Sequence, residues 1–389
     1  MPSLRFAQTA LRLYRALRWP ALAATGAFLY AWSYQNFQNP FFLHHDDFTA
    51  YWSAARLLLE RSDPYSPEQL LAMEQAAGRP WDEPLRLWNP PWTPAWLLPM
   101  AALPYPAART LWFLIQVIAV GWGAARIWWL YGGSRFPLLA WLIAFTSVPA
   151  LTAFRYGQSA PLLLLGAVGF LHFHQRGARW LAGLSLSLAT IKPQATLVLL
   201  VAAGLYSLRH RDWRLMLGLL LPPGIGLLVA WILYPPVLGS YLHQMRDGPL
   251  ETATFTLGAW LRYGVGIYHP ALLFLPSALA VTGLLIRFRL NRAFPNWREH
   301  FPELLWLSSA TMAYGWVYDY ILALAAWIPM ALRLKEGCPQ LRWIFYGGLA
   351  LTQFLMAHSV EQFRYAWIGV LWWAGHTLAW PRCKPSGWR

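Results

Sequence analysis

Twelve apolar stretches punctuate the sequence, at 19–34, 106–129, 136–153, 159–174, 179–190, 194–207, 214–234, 268–286, 302–316, 319–333, 342–357 and 364–380. A hydrocarbon layer of about 30 Å requires roughly 20 apolar residues per helix. Several stretches fall short of that, so the reading is eleven or twelve spans. With 57% hydrophobic and 12% charged residues, the chain lacks the polar surface that so many core helices would need in water. The expected fold class is an all-α integral membrane protein, one polytopic domain over 1–389 without internal repeats.

The formal charge of +15 would suggest nucleic acid in a soluble protein. Its distribution points elsewhere. With the N-terminus inside and the spans alternating, 21 of the 31 Lys and Arg residues fall in cytoplasmic tails and loops, as the positive-inside rule requires. Both termini are then cytoplasmic, and no nucleic-acid partner is expected. The N-terminal stretch with Arg5, Arg12, Arg15 and Arg18 reads as an uncleaved first span. Cys338 and Cys383 fall in basic loops on the cytoplasmic side and carry neither a disulfide nor a zinc signal.

The acids sort the other way. Eight of 16 lie between 46 and 83, inside a first outer loop of about 37–92; a second, larger outer loop covers 235–265. Within the first, "DDFTAYWSAARLLLERSDPYSPEQLLAMEQAAG" predicts two short amphipathic helices, one ending before Asp63-Pro64, the other capped by Ser66-Pro67 and stopped at Gly78. Such helices lie along the membrane interface. The proline-broken segment "WNPPWTPAWLLPMAALP" at 88–104 is expected to re-enter or line that interface. A second break, "LATIKPQATL" at 188–197, separates two half-length apolar segments, and paired interruptions of this kind point to a site.

Polar residues assigned to the outer face include the run His44-His45-Asp46-Asp47, together with Tyr51, Asn89, Arg155, Gln158, Lys192, Gln194, Asp319, His358 and Arg364. Ionisable groups at membrane depth are costly and usually serve a site. Lys192, one of three lysines, can present a point charge to an anion beside its proline break. The His-Asp run has metal-ligand chemistry, but adjacent residues cannot easily face one ion, so neither metal nor cofactor is expected. A carboxylate with scattered cations at a water–lipid boundary suits transfer from a lipid-linked sugar phosphate. The carboxylate deprotonates an acceptor hydroxyl, and cations stabilise the departing phosphate.

Four blocks carry a family resemblance: "DDFTAYWSAARLLLERSDPY", "WNPPWTPAWLLPMAALPYPAARTLW", "RYGQSAPLLLL" and "AGLSLSLATIKPQATLVLL", in this order. Together they resemble glycosyltransferase family 87, the polyprenyl-phosphate-mannose-dependent mannosyltransferases, over roughly 40–330. The resemblance implies a GT-C membrane fold and a polyprenyl phosphate sugar donor. It also implies inverting hexosyl transfer, of mannose, to a lipid or glycan acceptor outside the cytoplasmic membrane, with an outer-loop Asp as base. Asp47 matches that Asp, and Asp46 is a neighbour that competes for the role or tunes it. The late histidine expected near the outer end of a helix is missing from "YGWVYDYILAL"; His358 or Arg364 is the candidate replacement. Lys192, Arg155, His358 and Arg364 are thus candidates for the donor phosphate; Tyr51, Asn89, Gln158, Gln194 and Asp319 are candidates for substrate. The alternative is a transporter or lipid flippase, which would show paired repeats and midplane charges; the one-sided distribution of acids favours chemistry at the surface.

Overall fold

The computed structural model describes residues 20, 23–39, 45–246, 248, 254–266, 268–290, 296–358 and 362–383. His44 lies outside them. Among the described residues the fold is helical, with no strand.

Among the described residues, four helices are long and apolar enough to cross a membrane alone: Tyr105–Leu130, Trp213–Leu233, Ala271–Leu290 and the continuous Val317–Lys335. Leu138–Phe145 and Val148–Arg155, bent by 59°, make a fifth if counted as one span. This differs from the expected eleven or twelve. The other apolar stretches fold as shorter helices, among them Ala160–Gln175, Arg179–Leu186 and Pro193–His210. Proline explains one such break: it lacks an N–H and its ring clashes with the preceding turn, so the helical run from 179 passes through a 3-10 turn at Ser187–Ile191 and restarts at Pro193.

The freed carbonyls of that break are satisfied from outside the helix. Thr196 Oγ1 donates to the Ala189 carbonyl at 2.8 Å, Trp92 Nε1 to Thr190 at 3.2 Å and Asn89 Nδ2 to Ile191 at 2.9 Å. Irregular backbone survives within a membrane protein only with such partners. Trp92 and Asn89 belong to the proline-rich segment at 88–104, which folds as the short helices Trp92–Trp96 and Leu98–Ala101. That segment is anchored in turn by Trp96 Nε1 donating to the Pro222 carbonyl of the Trp213–Leu233 helix, at 3.2 Å.

The two predicted outer-loop helices form as Phe48–Leu59 and Pro67–Ala76, the second capped by Ser66 and followed by Gly78 at φ 98°. The first is not an interfacial helix with one wet face. Ten of its 12 residues are buried, packed with Tyr65, Leu70, Leu87, Tyr105 and Trp112 into a core of its own.

One expectation is overturned. Cys338 and Cys383 are bonded as a disulfide, Cα–Cα 5.4 Å. The helices Leu324–Glu336 and Trp367–Arg382 end side by side, which a separation of 45 residues does not reveal.

Candidate active site

The outer-loop helix begins at a pair of carboxylates with opposite fates. Asp46 is fully buried. Its oxygens accept from Arg109 Nε at 3.0 and 2.7 Å, from the Tyr105 hydroxyl at 2.7 Å and from the Phe48 amide at 3.2 Å. Arg109, itself fully buried, also donates to the Phe154 carbonyl at 2.7 Å and lies 4.1 Å from the Phe37 ring centroid. A buried charge persists only when it is paired and hydrogen-bonded. This pair ties the loop to the Tyr105–Leu130 span.

Asp47 occupies the N-cap position of the Phe48–Leu59 helix, yet its side chain caps nothing. Its Oδ2 instead accepts from Gln158 Nε2 at 2.5 Å, and it opens on a cavity of about 980 Å³. Its backbone amide donates to the Tyr156 carbonyl at 2.9 Å, which fixes the loop against the 155–159 turn. Burial raises the carboxyl to about 6; the Gln158 hydrogen bond opposes this, Asp46 adds to it, and Lys192 and Arg79 oppose it.

The 155–159 turn is held rigidly. Gly157 adopts φ +64°, and a Cβ there would lie 2.6 Å from both Asp46 Oδ1 and Phe48 Cβ. Glycine is therefore required twice over, for conformation and for space. Trp112 Nε1 donates to the Gly157 carbonyl, and Gln116 Nε2 to those of Ala153 and Gln158.

Lys192 reaches the same place from the broken helix. Its ammonium donates to Gln158 Oε1 at 2.8 Å and to Asp319 Oδ1 at 2.9 Å, and stands 4.6 Å from the Tyr318 ring centroid. Asp319 is buried, and its other oxygen accepts from the Trp316 amide at 3.1 Å. The Tyr51 hydroxyl donates to Gln158 Oε1 at 2.9 Å.

The structure thus gathers Asp47, Tyr51, Asn89, Gln158, Lys192 and Gln194 around one cavity, with Asp319 behind Lys192. Asp46, Arg155, His358 and Arg364 are not among its lining residues. Arg155 ends its helix with its guanidinium 5.9 Å from the Tyr156 ring centroid. His358 is exposed and stacked on Phe354, although Met356 and Ala357 of the same helix do line the cavity; Arg364 is exposed.

Sequence reasoning missed the far wall, built from residues 79–88. Arg79, Trp81, Glu83 and Arg86 face the cavity there. Arg79 donates to Glu74 Oε2 at 2.7 Å and to the Glu83 carbonyl at 2.5 Å. Glu74, whose carboxyl is raised by burial to about 7, also accepts from the Leu85 amide. The available signal was Glu74 on an otherwise short polar helix, five residues before an arginine. Among the described residues, no three His, Cys, Asp or Glu side chains are placed to hold a metal ion.

Fold and site together describe a multi-pass membrane protein with a polar, carboxylate-bearing cavity set between the loop that carries Asp47 and broken helices. The family model of glycosyltransferase family 87 matches residues 88–359, and the chain belongs to that family. It is a membrane glycosyltransferase, and the transporter alternative falls away. The matched stretch includes Asn89, Arg155, Gln158, Lys192, Gln194, Asp319 and His358, and begins beyond Asp46, Asp47 and Tyr51. No match was found among curated proteins or among solved structures.

Proposed function

We propose that this glycosyltransferase has a GT-C fold and moves a hexose, mannose, from a polyprenyl phosphate to a lipid or glycan acceptor outside the cytoplasmic membrane. Both termini lie in the cytoplasm, where the Cys338–Cys383 disulfide would be exposed to reduction, and the cavity opens on the other side. The observation that carries this reading is the placement of Asp47, a carboxylate facing a large cavity, with the buried cation Lys192 lining the same space.

The chemistry is a single displacement. The acceptor hydroxyl gives its proton to Asp47 as its oxygen attacks the anomeric carbon. The bond from that carbon to the phosphate oxygen breaks, and the polyprenyl phosphate leaves with the electron pair. Attack opposite the leaving group inverts the anomeric centre. Developing positive charge on the sugar resembles that in glycoside hydrolysis. Lys192 has three N–H donors, of which two are engaged by Gln158 and Asp319; the third is available to the phosphate. No cofactor enters the step.

The test is transfer by purified protein in lipid from radiolabelled mannosyl-phosphoryl-polyprenol to an extract of the source membranes. Digestion of the product with anomer-specific mannosidases reads the stereochemistry. A labelled product of anomeric configuration opposite to the donor is expected. A product of retained configuration contradicts the single displacement, and no product contradicts the donor.

A further inference from the structure

We infer that Gln158 is the positioning residue of the base, with its amide orientation set by Lys192 and Tyr51, so that a relay Asp319–Lys192–Gln158–Asp47 decides which carboxylate oxygen receives the acceptor's proton. The inference rests on Asp47 being that base.

Donor and acceptor capacities fix the orientation of the Gln158 amide. An ammonium only donates, and Lys192 Nζ lies 2.8 Å from Gln158 Oε1. The Tyr51 hydroxyl donates to the same oxygen at 2.9 Å. With Oε1 held by two donors, the Gln158 amide nitrogen faces Asp47, where it donates to Oδ2 at 2.5 Å. The flipped amide would set an NH2 against the ammonium and an oxygen against the carboxylate, two repulsions in a site shielded from water. Gln158 is buried, and Gln116 holds its carbonyl at 2.7 Å while Gly157 shapes the turn before it. Lys192 is fixed in turn by Asp319 at 2.9 Å, and Asp319 by the Trp316 amide.

Oδ2 of Asp47 is therefore occupied by the amide, and Oδ1 is the oxygen that meets the acceptor. Orientation of this kind separates a positioned base from a mobile carboxylate, because misplacement by about 1 Å can cost on the order of a hundredfold in rate. Among the described residues, the charged and titratable groups around Asp47 are Asp46 beside it, Lys192 and Tyr318 across the cavity, Tyr51 on its own helix, Arg79 and Glu74 of the loop, and His45, Glu83, Arg86 and Tyr156 on the cavity lining.

The test compares full-length wild type, Gln158→Met and Asp47→Asn in lipid, measuring transfer from mannosyl-phosphoryl-polyprenol over pH 5–8 together with thermal unfolding. Gln158→Met keeps the side-chain length and removes both amide groups. Its kcat is expected to fall about tenfold or more, with KM for the donor little changed. Its acid limb is expected to move up by about half a pH unit or more, since a hydrogen bond that favours the ionised carboxylate has been lost. A loss of rate with an unmoved acid limb, or a variant indistinguishable from wild type while Asp47→Asn is inactive, overturns the relay and leaves the base in place. An Asp47→Asn variant as active as wild type removes the base, and the relay with it. Should Gln158→Met fail to fold, Tyr51→Phe is read in the same way, since it removes one of the two donors that hold the Gln158 amide oxygen: an acid limb moved upward supports the relay, and a wild-type limb contradicts it.

Discussion

Asp46 and Asp47 share a peptide bond, and their carboxylates face opposite worlds: Asp46 is sealed against Arg109 inside the protein, while Asp47 lines the cavity beside Gln158. Two adjacent acids with such different surroundings must answer differently to the same substitution.

Asp46→Asn leaves the Arg109 guanidinium buried without its counter-charge. Breaking one side of a buried pair costs about 3–5 kcal/mol, so thermal unfolding should fall steeply. Asp47→Asn should leave unfolding temperature unchanged or raised. Equal losses in the two variants would contradict the division of roles.

The pH dependence follows from the same contrast. Asp47 titrates at about 6, raised by burial from 3.8, and only its ionised form can take a proton. Transfer should therefore rise between pH 5 and 7. Stability runs the opposite way: because the fold favours the protonated form, this carboxyl's contribution is complete below about 4 and is lost as pH rises through 6. Unfolding of wild type and Asp47→Asn, compared at pH 4.5 and 7.5, should show wild type losing ground to the variant at the higher pH. Glu74 titrates in both proteins, and because the Asp47 charge raises its carboxyl further, its change in the variant acts in the same direction.

Much of the site was legible because its chemistry defies its surroundings. A lysine beside a proline, a Gln in a tight turn and an aspartate at a helix start all stand out in an apolar chain. Their convergence was not legible, since Asp47, Gln158, Lys192 and Asp319 are far apart in sequence and meet only through the folded turn at Gly157 and the break before Pro193. Arg109 stayed hidden inside an apolar run, where its partner 63 residues upstream gives no local sign. Hydropathy registers apolar length and not the breaks that divide it into helices of eight to eighteen residues, so the apolar stretches do not all appear as long helices among the described residues.

Lys192→Met should destabilise the protein by about 3 kcal/mol or more, because Asp319, buried in the same contact, loses its cation. Adding Asp319→Asn to that variant removes the stranded charge. The double variant should unfold at a higher temperature than Lys192→Met while remaining as inactive. A double variant showing the sum of two independent losses would mean that the pair is not coupled.

Reduction of Cys338–Cys383 should lower stability by about 2–4 kcal/mol, the usual worth of such a crosslink. Unfolding with and without reductant measures it, with mass spectrometry of alkylated protein reporting the thiol state. The cavity that Asp47 lines is elsewhere in the fold, so transfer at low temperature should survive reduction. A parallel loss of transfer would show that the helix ends it joins hold the cavity open.

Single-turnover transfer by Asp47→Asn beside wild type shows whether Asp47 takes the acceptor's proton. Donor is preloaded from labelled mannosyl-phosphoryl-polyprenol, and reaction begins on addition of membrane extract. Loss of a positioned base costs about a hundredfold or more, with bound donor and unfolding temperature preserved. Transfer by Asp47→Asn at the wild-type rate would contradict the account and place the base elsewhere.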